Sequence, residues 1–145
     1  MATEVFPFDN VIVGLLILII GFGLHWIGQL ISAINWDYAT KIGIQSESLL
    51  PEYKVYEHAT AVADSILGWI YGIAGVGLIL EESWAYKLIW IPGVVMIYHA
   101  LNYWFYIGNQ NKAGHPTMSN TARIIWFLLN ITTGILTILV AWEFY

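Results

Sequence analysis

Apolar residues fall into four long runs separated by three short polar stretches. The runs cover residues 11–34, 56–80, 84–108 and 121–143. Each holds the roughly 20 apolar residues that cross a hydrocarbon layer as a helix. The pattern predicts an all-α fold: a polytopic integral membrane protein with four transmembrane helices in an antiparallel up-down bundle. Residues 1–145 are read as one domain. Residues 1–10 lack the basic start of a signal peptide, so the first run is read as a retained helix.

Within each run the small and polar positions share a face. At 100° per residue, Glu57, Ala61, Asp64, Gly68, Gly72 and Gly75 form one stripe of the second run. The first run aligns Gly14, Gly21, His25, Gly28 and Ser32. The third aligns Pro92, Val95, His99, Asn102, Tyr103 and Tyr106, and the fourth Arg123, Phe127, Asn130, Gly134, Thr137 and Ala141. A carboxylate about two turns inside a hydrocarbon layer is costly and faces protein. The stripe that carries Asp64 is therefore expected to meet other helices. Gly68-x-x-x-Gly72, with Gly75 beyond it, has the spacing that lets helices approach closely, and is read as packing within the chain.

The connections are unequal. Residues 35–55 keep Trp36, Tyr38, Ile42, Ile44, Leu49 and Leu50, which predicts a short interfacial helix. Residues 81–83 leave room only for a tight turn, making the second and third helices neighbours. Ser119 or Asn120 is expected to cap the fourth helix. Pro92 either kinks the third helix or marks where its firm part begins.

Composition strengthens the membrane reading. The chain is 59% hydrophobic and 10% charged, against roughly 25% charged in soluble domains. Mean hydropathy is +0.68. The net charge of −5 and the lack of any basic block argue against nucleic acid as a partner, leaving the lipid bilayer and other membrane subunits. There is no cysteine, so disulfides and thiolate metal sites are excluded. Lys41, Lys54, Lys112 and Arg123 flank the 35–55 and 109–120 connections, while Lys87 alone lies toward the opposite ends. The positive-inside rule then makes the connection side cytoplasmic and both termini non-cytoplasmic. The expected location is the plasma membrane of a prokaryote.

Candidate chemistry concentrates at one depth. His25, Asp64, His99 and Asn130 all fall roughly 10–15 Å below the connection side at 1.5 Å per residue. A second tier nearer that side holds Gln29, Glu57, His58, Asn102, Tyr103 and Arg123. One reading is plain packing, in which Asp64–His and Glu57–Arg123 pairs join helices. Another is a cofactor site: His25 and His99 as axial ligands of a haem, or both with Asp64 as a two-His-one-carboxylate transition-metal site. A third is a proton relay. No HExxH or clustered-His motif selects among them. The leading functional expectation is a small structural or accessory subunit of a larger membrane complex of respiratory, redox or monooxygenase type. Its polar layer would open to the cytoplasmic side. The alternatives are a membrane-embedded metal or haem enzyme using His25, Asp64 and His99, and a homo-oligomeric proton-coupled carrier or channel.

Overall fold

A computed structural model of the chain describes residues 5–143. It contains four long helices, α1 (Asp9–Ile34), α3 (Pro51–Ile79), α4 (Ser83–Lys112) and α5 (Asn120–Glu143), and a short α2 (Trp36–Lys41). There is no strand among the described residues. All four long helices are apolar and long enough to cross a membrane. α3 starts before the expected residue 56, because Pro51 at its first turn has a pre-set φ and needs no hydrogen-bond partner. α4 runs past Gly108 to Lys112, and Gly114 (φ 81°) turns the chain just beyond. The helix expected in the 35–55 connection is α2, capped by the Asn35 side chain accepting from the Tyr38 N–H at 2.9 Å. Ser119 caps α5 by accepting from the Ala122 N–H at 3.1 Å.

The 81–83 turn closes by backbone bonds. Glu81 N–H reaches Leu78 O and Glu82 N–H reaches Gly77 O, the paired bonds of a Schellman motif. Glu81 takes the left-handed position (φ 58°) where glycine is usual, and its carboxylate accepts from Asn10 Nδ2 of α1 at 3.3 Å.

Three of the long helices are interrupted, where the sequence pattern implied regular ones. In α1 the stretch Ile17–Trp26 is π-helical, and Ile27 N–H bonds five residues back to Phe22 O. In α3 the turn tightens at Gly68 (φ −72°, ψ −10°), where Tyr71 N–H bonds only three residues back. In α4 the missing N–H of Pro92 leaves no donor for Leu88, and the firm helix starts at Trp90.

Packing rests on two glycine crossings. A Cβ on Gly14 would lie 2.9 Å from Gly75 O, joining α1 to α3. A Cβ on Gly134 would lie 2.8 Å from Gly93 O, joining α5 to α4. Beyond the first crossing, large residues of α1 seat on small ones of α3: Leu18 on Gly75, Phe22 on Gly72, Trp26 on Gly68. Residue numbers rise along one helix as they fall along the other. α5 packs on Asp9–Leu16 and, less extensively, on Ile17–Trp26, and hardly touches Ile27–Ile34, so the two helices part toward the connection side. Only about a third of each helix's apolar window is buried (28% to 33%), and the outer faces carry residues such as Ile19, Leu24, Ile66 and Phe105. Apolar faces of this extent are compatible with lipid contact.

The crossings leave no room for a side chain. Gly134→Val sets new atoms against Ile97 and the Gly93 backbone. It is expected to lower stability by about 1–3 kcal/mol, read as a fall in thermal midpoint in detergent. The outward Leu139→Val serves as a near-neutral control.

Candidate functional site

Three helices each send one titratable side chain to a common point. His25 comes from the π-helical stretch of α1, Asp64 from α3 four residues before the Gly68 break, and His99 from α4 seven residues after Pro92. His25 Nε2 lies 3.3 Å from Asp64 Oδ2, and His99 Nε2 lies 3.4 Å from Asp64 Oδ1. The two imidazole centroids are 4.2 Å apart. One ligating atom from each residue falls within 4.8 Å of the others. The side chains are 10%, 17% and 9% exposed for His25, Asp64 and His99, so little water competes for them.

The irregular turns hold this geometry. Trp26, next to His25, donates its indole N–H to Ser65 O, next to Asp64, at 3.1 Å. The tightened turn at Gly68 interrupts the regular backbone ladder beside that carbonyl, and the bare glycine admits the indole ring. Tyr71 packs on Gly21 and meets the His25 ring edge-on at 6.2 Å, flooring the cluster on the side away from the connections. Below Asp64, an apolar pocket of about 220 Å³ runs between α3 and α4 past Pro92 and Val95.

The spacing bears on the chemistry. Charge-assisted hydrogen bonds usually run about 2.7–2.9 Å. The Nε2–O separations here are longer. The two nitrogens face different carboxylate oxygens, and one donor atom from each residue lies within 4.8 Å of the others, near enough to close on a single ion. Two imidazoles and a carboxylate suit a first-row transition metal and leave coordination positions open. The same arrangement argues against the haem reading. Axial imidazoles on either face of a porphyrin have centroids roughly 6 Å apart. At 4.2 Å no macrocycle fits between His25 and His99.

A cavity of about 370 Å³ sits over the cluster toward the connections, with His25, His99 and Glu57 in its wall. Glu57 is buried at 5% exposure. Gln45, from the segment after α2, donates to Ser32 Oγ at 3.1 Å and Glu57 Oε1 at 3.4 Å, strapping that segment across α1 and α3. Asn102 and Tyr103 also line the cavity; Asn102 pairs with the Tyr56 hydroxyl and Tyr103 stacks on Tyr106 at 5.6 Å.

Other residues of the sequence-derived layer lie elsewhere. His58 is exposed, its ring 5.9 Å from Trp36. Arg123 does not pair with Glu57: its guanidinium donates to Trp104 O and lies over the Trp104 ring at 3.8 Å. Asn130 is buried but donates to Trp126 O at 2.9 Å within its own helix. Gly68, Gly72 and Gly75 all face α1.

Sequence reasoning missed Gln45, Gly93 and Trp126, the last of which lines the cavity. Trp126 was discoverable, since it stands four residues before the buried Asn130 on one face. Gln45 lies in an aperiodic polar stretch with no such signal.

Comparison with protein-family models, with curated proteins and with solved structures finds no match, so the site is interpreted from its own chemistry.

Proposed function

We propose that the chain is a membrane protein whose long helices form an antiparallel four-helix bundle, and that His25, Asp64 and His99 bind a divalent first-row transition metal. The observation that carries this reading is the convergence of two imidazoles and one carboxylate from three separate helices within 4.8 Å. Each residue type is costly in an apolar bundle, and a shared cation offsets that cost. Asp64 supplies charge, the histidines supply neutral nitrogen donors, and the open positions point to a role for the ion beyond holding helices together. The apolar floor around Tyr71 limits water on one side, and the cavity beside Glu57 gives access from the other.

Protein purified in mild detergent is expected to carry about one transition-metal ion per chain, read by elemental analysis. His25→Ala, His99→Ala and Asp64→Asn should each lower occupancy by about tenfold or more, while His58→Ala leaves it unchanged. Wild-type protein that takes up no metal, even when incubated with Fe(II), Mn(II), Co(II) or Zn(II), would reduce the cluster to a hydrogen-bonded joint between helices.

The orientation follows from charge. The ends bearing Lys41, Lys54, Lys112 and Arg123 face the cytoplasm and the termini face outward. A phosphatase fused to the C-terminus in a bacterial host should be active and a fluorescent-protein fusion dark. The opposite pattern inverts the topology.

A second reading, a small accessory subunit of a larger redox-type complex, is favoured by how little lies outside the helices: the described connections at 42–50 and 113–119 carry no separate domain. Native mass in mild detergent tests it. A hetero-complex supports the subunit role, whereas a symmetric assembly of this chain alone supports a carrier.

A further inference from the structure

The cavity above the His–Asp–His cluster is larger than an ion needs. Its volume of about 370 Å³ is that of a small organic ligand. It lies where α1 and α5 part, walled by Leu24 and Gly28 on one side and Trp126 on the other. Leu24 is 55% exposed, so this wall ends at the outer, apolar face of the helices. The cavity is therefore open sideways, toward lipid, as well as beneath the Gln45 strap.

Several of its polar side chains are already committed. Gln45 commits its amide to Ser32 and Glu57, Asn102 to the Tyr56 hydroxyl, and Thr60 to the Tyr56 carbonyl. Two acceptors keep open capacity beside the Tyr103 and Trp126 donors of the wall. Glu57 receives bonds from Gln45, at 3.4 Å, and from Gln29, keeps lone pairs free, and has no cationic partner among the described residues. Gln29 Oε1 is buried with no partner at all. An unmet buried acceptor is costly, and a ligand bearing hydrogens recovers that cost. A buried carboxylate rejects an anionic head. The metal-binding or protonatable histidines in the same wall disfavour a full positive charge. An uncharged O–H head meets both conditions, and the Leu24, Tyr103 and Trp126 side chains suit an apolar or aromatic body.

We propose that this cavity binds a membrane-soluble amphipathic molecule with an uncharged, hydroxyl-bearing aromatic head, whose O–H donates to Glu57 and whose tail leaves past Leu24 into the bilayer. The assignment rests on the reading of the long helices as membrane spans, and it does not require the metal.

The test is calorimetric binding of 4-octylphenol and of its methyl ether, 4-octylanisole, to the full chain in phosphatidylcholine nanodiscs. The two probes share a body and differ in the donor hydrogen. The phenol should bind about tenfold tighter, the effect of one hydrogen bond to a charged acceptor. Glu57→Gln should narrow that ratio to about threefold or less. Gly28→Leu fills the cavity from a position where an added Cβ meets only Ile44 Cγ2, at 3.7 Å, and should abolish binding of both probes in protein that still shows a cooperative thermal transition. Equal affinity for phenol and ether overturns the proposal, as does phenol binding that survives Gly28→Leu. Tighter binding of octylamine than of the phenol overturns the hydroxyl assignment. Failure of the membrane reading is separately visible, as protein that stays in aqueous buffer without detergent.

Discussion

Asp64 sets the terms for this fold. It is a carboxylate set among apolar helices, where an isolated charge is costly. The response comes from two other helices, each contributing one imidazole to a different carboxylate oxygen. Satisfying one side chain in this way fixes the relative height of α1, α3 and α4. A shift of one residue along any of them moves its contribution by about 1.5 Å and turns it by about 100°, which breaks the cluster.

The helix irregularities belong to the same arrangement. Trp26 bonds the Ser65 carbonyl beside the break, and any residue larger than glycine at position 68 would collide with the Trp26 ring. The π-helical stretch of α1 holds His25 at one end and includes Phe22 and Trp26, which stack at 4.7 Å and seat on α3. Pro92 loosens α4 two turns before His99. Irregular turns in apolar helices leave backbone groups to be satisfied, and here one of them is satisfied by a side chain that docks a neighbouring helix.

The two glycine crossings and the polar cluster divide the labour. Gly14–Gly75 and Gly93–Gly134 bring each helix pair to backbone contact on the side of the turn at 81–83. Toward the connections the pairs separate, and the space is taken by the cluster, the cavity and the Gln45 strap. Close packing at one end and a polar chamber at the other follow from placing small residues low and large or polar ones high on the same faces.

Much of the fold was legible in the chain. Four apolar runs, a three-residue connection and a capping serine define four long helices and their approximate ends, because helix length and capping are local properties. The depth of His25, Asp64 and His99 was also readable, since the rise per residue converts sequence position into height. The partners of these residues were not readable. Whether Arg123 turns to Glu57 or to Trp104, and whether Asn130 bonds across helices or back to Trp126, depends on rotation and spacing between helices, which no single run encodes. The same holds for the π-helical stretch of α1 and the placement of Gln45 over Glu57. The sequence by itself determined the helices, their heights and the residue types available for chemistry. Only the tertiary structure decided which of those residues meet, because contact between helices depends on interhelical rotation and close approach summed over many weak terms.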